Sequence, residues 1–415
     1  MSDINSSSSL SKRLADSPFT INWVLTNLCG ADDNFTPLSQ QVKNVTAVDI
    51  SEGKGFVSKV YKVSIEFNKN EELYEVILKV PGTASFTEAV SNTDIKEDTL
   101  LQGNQFAKLN NTECEFYNKY ASNLDLPLPK VFKTQHWIIG EQHGAILMQS
   151  FHGMTETCPI YTGANIEQVF EVVRHLATLQ KFFLTLKSKD WRGKYNMDNY
   201  ESIPESRFFT TYFEKLKKLQ PGVFDEGIEV FDKYLKEIKF IRYTTRDIYH
   251  DVGLPTGISH GDFCNNNLLW AINSEDGSIS NKIAAIIDWQ AMHEGCMMFD
   301  LARFMAVSVD GDVRREHENE ILHYYCDTVA KLMQDDGRYV DFTFEQIKKA
   351  YRGNFVFQAI IAMISGPFLL MQKEWTEVEK PHKKVQLDKV LLRAKMAMED
   401  ALERLKDLPE EMLHV

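Results

Sequence analysis

Hydrophobic and polar residues alternate along much of the first third of the chain. VTAVDI (45–50), GFVSKVYKVSIEF (55–67) and LYEVILKV (73–80) are rich in β-branched and aromatic residues, which predicts strands, with FNKNEEL (67–73) as the turn between the last two. A helical period over 98–121 interrupts them, and two more strands are predicted near KVFKTQHWI and GAILMQS. After Ser150 the period lengthens. NIEQVFEVVRHLATLQKFFLTL puts Ile166, Val169, Val173, Leu176, Leu179 and Phe183 on one helical stripe, and further helices are predicted near 207–219, 223–238 and from Phe299 onward. One strand pair, in ISHGDFCNNNLLW (258–270) and IAAIIDWQ (283–290), lies within this helical part. The pattern predicts an α+β protein: a small β-rich N-lobe over 19–150 and a larger, mainly helical C-lobe over 151–415. The polar, Ser-rich residues 1–18 predict a flexible tail.

The most apolar stretch, FVFQAIIAMISGPFLLM (355–371), has 17 residues. It contains Gln358, Ser365 and a Gly366-Pro367 break, and a membrane span wants about 20 predominantly apolar residues. A buried core helix is predicted and no membrane span. With 415 residues, 43% of them hydrophobic, the chain has ample material for a core. The formal charge of -13 argues against a general nucleic-acid binder, yet allows a local basic pocket for a small anion. MSDINSSSSLSKRLADS carries no apolar signal region, and the six cysteines form no C-x-x-C pair. Reduced thiols in the cytoplasm are expected.

The strand pair carries the chemistry. HGDFCNNN matches H-x-D-x-x-x-x-N, the catalytic-loop spacing of phosphotransferases, and selects Asp262 and Asn267. A carboxylate can orient a hydroxyl and take its proton; an amide carbonyl five residues later is a hard oxygen ligand for Mg²⁺. In an antiparallel hairpin the start of the first strand lies beside the end of the second. Asp288, which follows Ile283–Ile287, should therefore meet Asn267 at one edge and share a cation with it. His260 is expected to brace the loop and not to act as a base. Taken singly, these residues also suit turns and caps; the set together is what points to catalysis.

A phosphotransferase also needs a phosphate-covering loop and a held lysine. Gly53-x-Gly55-x-x-Ser58 lies between strand candidates and suits a lid, although a plain hairpin turn reads the same way. Lys79 stands among Val76, Ile77, Leu78 and Val80, where a charge needs a partner or ligand. Glu113 lies one helical turn before Tyr117 and is the expected partner; Glu115 is expected to face solvent.

GFVSKV, ILKV, ECEFY, HGDFCNNNLLW and IIDWQ…DLARF occur in the order found in the ecdysteroid-kinase-like (CHK kinase-like) group of small-molecule kinases, which this chain resembles over about residues 20–410, most of all its nematode branch. That group is related to choline kinases and aminoglycoside phosphotransferases. The resemblance implies a bilobal protein-kinase-like fold, ATP and Mg²⁺, with Asp262 as catalytic base, Asn267 and Asp288 on metal, and Lys79–Glu113 as ion pair. It implies adenine contacts from the backbone near Met148, Gln149 and Ser150, and a loop-bracing role for Asp300. The acidic hinge residue of relatives is replaced here by Gln149 or Ser150. The expected acceptor is a hydroxyl on a small molecule: a steroid, xenobiotic conjugate, glycoside or choline-like alcohol. Phe355, Phe357, Phe368 and Trp375 are candidates for its walls, with core packing as the plainer role for most of them. The competing function is a catalytically weak nucleotide-binding regulator. The absence of D-F-G and A-P-E argues against a protein kinase.

Overall fold

The alternating segments form an antiparallel five-stranded sheet in the order β1-β2-β3-β5-β4. Its strands are β1 (Val42–Asp49), β2 (Ser58–Phe67), β3 (Tyr74–Pro81), β4 (Val131–Gln135) and β5 (Ala145–Gln149). This is a computed structural model, and it describes residues 7–51, 57–68, 72–82, 103–371 and 375–413. By internal contacts the chain divides into two compact units. One comprises Met1–Asn92, Leu101–Ser122 and Leu128–Met154; the other Thr93–Leu100, Asn123–Pro127 and Thr155–Val415.

In the first unit, period-two alternation sends Val76, Leu78 and Val80 of β3 into a core with Tyr61, Val63, Ile65 and Leu147. Ile77 and Lys79 are left on the opposite face. Among the described residues, the longer helices of this unit are α1 (Ile21–Leu28) and α2 (Gly103–Lys119). The flexible tail predicted for residues 1–18 requires correction from residue 7 onward. Ser7–Leu10 is a helical turn, and Leu14 and Ser17 are buried. Asp16 accepts hydrogen bonds from Lys59 at 2.5 Å and from the Tyr61 hydroxyl at 2.8 Å. Ser-rich composition suggested disorder, but Leu14, Phe19 and Ile21 bury enough apolar surface to tie this segment to the sheet.

Three carboxylates in this unit are held below the ordinary carboxylate range. Lys59 and Tyr61 lower Asp16. Burial opposes the charged form of Asp32, but Tyr74 and Lys130 outweigh it. At Glu75 burial is likewise outweighed, by Lys62 and Ser64. A folded-state pKa below the unfolded one gives stability that is fully present above the unfolded values of 3.8 and 4.5 and is lost as pH falls through the lower folded ones. Urea titration followed by far-UV circular dichroism should therefore show a midpoint that is flat at neutral pH and falls steeply below about pH 4.5.

The second unit is mainly helical. Its longer helices are α3 (Ile166–Thr185), α4 (Phe208–Leu219), α5 (Asp225–Tyr234), α6 (Phe299–Val307), α7 (Gly311–Asp335), α8 (Phe344–Leu370) and α9 (Lys380–Arg404). Capping boxes start α3 at Asn165/Gln168 and α8 at Thr343/Gln346. A small sheet joins β6 (Thr155–Glu156), β8 (Leu268–Ile272) and β9 (Ile279–Ile286); β7 (Thr256–Ser259) pairs with β10 (His293–Cys296).

Helix α8 contains the apolar stretch. It is long and apolar enough to cross a membrane, but 78% of its most apolar window is buried inside the fold, as in a core helix. The expected break at Gly366-Pro367 is absent: the helix passes through Pro367 and ends at Leu370. Pro367 lies in the last turn and is buried, so packing offsets the lost N–H bond. The helical segments Ile238–Arg242 and Ile248–Val252, joined by a π-helical turn at Tyr243–Asp247, were also not predicted. There the Thr244 and Thr245 hydroxyls donate back to the Phe240 and Ile241 carbonyls at 2.8 and 2.6 Å, satisfying a β-branched pair that propensity disfavours in a helix.

Candidate active site

The loop after β7 is built for a sharp reversal. Gly261 has φ +90°, and a Cβ there would lie 2.0 Å from the Ala291 carbonyl oxygen. Both facts require glycine. Gly261→Ala should cost about 3 kcal/mol or more of stability, as backbone strain and a hard clash combine; a melting temperature within a degree or two of the parent would contradict this reading.

Asp300, in the first turn of α6, pins the loop. Its carboxylate is buried and accepts from the backbone N–H groups of His260 at 2.7 Å and Gly261 at 3.0 Å. Burial pushes its pKa up, against the pull of His260 and the two N–H groups. His260 is fully buried and committed at both ring nitrogens. Nε2 is 2.9 Å from the Ile287 carbonyl, and Nδ1 is 3.3 Å from the Asp262 N–H. These partners fix Nε2–H as donor and Nδ1 as acceptor. Trp289 and Phe263 pack on the ring at 4.6 and 5.5 Å.

The three asparagines divide by environment. Asn265 is buried; its N–H donates to the Ser308 hydroxyl at 3.0 Å and its amide to the Thr162 carbonyl at 3.4 Å. Asn266 is exposed. Asn267 donates from Nδ2 to the Asp262 carbonyl oxygen at 2.8 Å and to Asp262 Oδ2 at 3.2 Å. Those bonds leave Oδ1 as its oxygen for a ligand.

The hairpin brings Asp288 to the same end. Leu268 pairs with Ile286, and the Ile287 N–H donates to the Asn267 carbonyl at 3.0 Å. Asp288 then takes the left-handed conformation, φ 69° and ψ 57°, uncommon for a non-glycine residue and concentrated at functional positions. Gln290 donates to its Oδ2 at 3.3 Å. Among the described residues no three His, Cys, Asp or Glu side chains form a metal cluster. The Asn267 amide oxygen and the Asp288 carboxylate are hard oxygen donors, a pair whose chemistry fits Mg²⁺ completed by phosphate and water.

In the first unit Lys79 donates to Glu113 Oε2 at 2.6 Å, with 12% and 1% of the side chains exposed. A buried ion pair is a weak source of net stability, because desolvation offsets the attraction. Glu115 pairs instead with Lys119 on the helix surface. Ser58 begins β2 opposite Pro81 and is buried. Gly53 and Gly55 lie outside the described residues. Met148 and Gln149 end β5 opposite Ile77 and Val76, and the Ser150 hydroxyl accepts from the His152 N–H at 3.2 Å.

Sequence reasoning missed a second layer around Asp262. Arg303 of α6 donates to Asp262 Oδ1 at 2.7 Å and to Gln358 Oε1 at 3.1 Å. Burial disfavours the guanidinium charge, but Asp262 outweighs it and the pKa rises above the ordinary arginine value. The signals were present: an arginine in DLARF, and a lone glutamine in an apolar run. Of the proposed aromatic walls, Phe355 lies elsewhere, between the buried guanidinium groups of Arg314 and Arg404 at 5.0 and 4.0 Å. Phe357 neighbours Tyr200 at 5.3 Å, and Phe368 packs on Phe208 and Tyr212. Trp375 donates to the Leu370 carbonyl at the end of α8.

Comparison with known proteins adds the following. The model of the DUF1679 family, described as "Uncharacterized oxidoreductase dhs-27", matches residues 34–407. The chain is similar to the Caenorhabditis elegans protein of that description, at 27% identity over 78% of this chain but only 39% of the relative's length. It is also similar to "Uncharacterized kinase-like protein D1044.1" of the same organism, at 22% identity over 78% of this chain and 82% of that one. Among solved structures it is similar to choline kinase from Cryptosporidium parvum Iowa II, at 12% identity and TM-score 0.47, covering 94% of this chain and 97% of that one.

Proposed function

The chain belongs to the DUF1679 family, whose description names an uncharacterized oxidoreductase; from the site itself we propose instead that the protein transfers the γ-phosphoryl group of ATP to a hydroxyl of a small organic molecule. The observation that carries this reading is the β8–β9 hairpin, which delivers Asn267 and Asp288 to one end beside Asp262. The name of the kinase-like relative agrees with it.

In this reading Asp262 accepts a hydrogen bond from the acceptor hydroxyl and orients it toward the phosphate. Phosphoryl transfer passes through a loose transition state, so orientation matters more than strong basicity. Arg303 and Asn267 hold both carboxylate oxygens of Asp262 in place. Asn267 Oδ1 and the Asp288 carboxylate would hold Mg²⁺. When bound, that ion neutralises charge on the transferring phosphate. Lys79, kept in position by Glu113, would contact the nucleotide phosphates. Ser58 would belong to the covering strand, with Gly53 and Gly55 before it, and the backbone at Met148, Gln149 and Ser150 would meet adenine. His260 and Asp300 serve the loop.

Calorimetric titration with ATP, ADP, NAD⁺ and NADPH, each with and without Mg²⁺, tests the nucleotide class. Mg²⁺-dependent ATP binding is expected. Tight NAD⁺ or NADPH binding without ATP binding would overturn the reading in favour of redox chemistry.

A further inference from the structure

The surroundings of Asp262 are rich in donors. Among the described residues, Arg303 Nε and Gln358 Nε2 are buried and find no protein acceptor. The bond from Arg303 to Gln358 Oε1 fixes the amide, so Nε2 is the nitrogen left over. Tyr200 feels the charges of Arg303, Asp262 and Asp300. Burial pushes its phenol up to about 12, Arg303 opposing and Asp262 adding, so it stays a protonated donor at neutral pH. Its ring meets Phe357, the residue before Gln358, edge-on at 5.3 Å.

Buried donors without acceptors are unfavourable, and each calls for a partner such as a water, an ion or a ligand oxygen. A quaternary ammonium would find the charge of Asp262 already compensated by Arg303 at 2.7 Å. We infer that Tyr200, Arg303 and Gln358 form an acceptor subsite beside Asp262, shaped for a hydroxyl compound that carries a carbonyl or carboxylate oxygen next to the reacting hydroxyl. This rests on the phosphotransferase reading and narrows its acceptor class. The ion pair with Arg303 places such an oxygen within a few bonds of the hydroxyl that meets Asp262, while the partly exposed Tyr200 offers aromatic surface to the acceptor's apolar body.

The test is calorimetric binding of mandelate, phenacyl alcohol, phenethyl alcohol and choline to the full chain, with ATP and Mg²⁺ present, followed by assay of phosphate transfer in the same samples. Mandelate and phenacyl alcohol should bind about 10-fold or more tighter than phenethyl alcohol, the range for one hydrogen bond to a buried or charged donor. Choline should bind weakest. Gln358→Leu, near in volume, should reduce the preference to about threefold or less while ATP affinity holds; Arg303→Lys serves the same purpose if that variant does not fold. Failure of all four compounds to bind overturns the inference. So does equal binding of phenethyl alcohol or choline, or a preference that survives both substitutions. If the preference is found without transfer of phosphate, the subsite stands and the phosphotransferase reading falls. If phosphate reaches choline as readily as mandelate, the reading stands and the subsite falls.

Discussion

Replacing Asp262 by alanine is expected to lower kcat for phosphate transfer by about 10³-fold, within the range for a positioned acid–base group. ATP affinity should stay within about threefold. The carboxylate sits 37% exposed at the mouth of a braced loop, with Asn267 and Arg303 fixing its orientation. In the proposed mechanism alanine removes the carboxylate that would orient the hydroxyl and leaves the hairpin that bears Asn267 and Asp288. It also leaves the mostly buried Arg303 without its carboxylate, which costs stability. Asp262→Asn is the better companion, since its amide oxygen can still accept from Arg303. Initial rates at saturating ATP separate the effects: the account needs a loss in kcat for both variants, with the asparagine variant melting closer to the parent. Full turnover in either one removes Asp262 from the mechanism.

Replacing Asp288 by asparagine should raise the Mg²⁺ concentration needed to support ATP binding. Asparagine is the informative choice because it tolerates the left-handed backbone found at φ 69°, where alanine would add strain. Changes that only orient a metal ligand typically cost about 10- to 100-fold in metal affinity, so removing a ligand's charge should cost at least about 10-fold. Titrating Mg²⁺ at fixed ATP reads this out as a rightward shift of the binding curve. An unchanged curve assigns the cation to other residues.

Much of this architecture was legible because single residues broke a local pattern. Lys79 interrupted an apolar strand, and alternation alone placed it on the face of Ile77, where the structure has it. The one-turn offset from Tyr117 selected Glu113 over Glu115, and the structure pairs Glu113 with Lys79. Antiparallel pairing put Asn267 and Asp288 at one hairpin end, as the register from Leu268 to Ile286 has it. What escaped was set by tertiary contact. Arg303 looks like any basic residue of an amphipathic helix until α6 meets the loop. Gln358 served only to weaken a membrane span, when a polar side chain in such a run also demands a partner. Composition misjudged residues 7–18, where a few apolar side chains outweigh the serines. Pro367 does not break α8: it costs one N–H bond three residues before the end, and its burial offsets that loss.

The central claim is that this site moves phosphate from ATP to an alcohol. The most direct measurement is transfer of γ-labelled phosphate to a panel of alcohols, sterols, glycosides, hydroxy acids and choline, with Asp262→Asn alongside. The account predicts a labelled, acid-stable phosphate ester that requires Mg²⁺ and is lost in the variant. Binding of ATP with no labelled product from any acceptor, or an equal yield from Asp262→Asn, would contradict it.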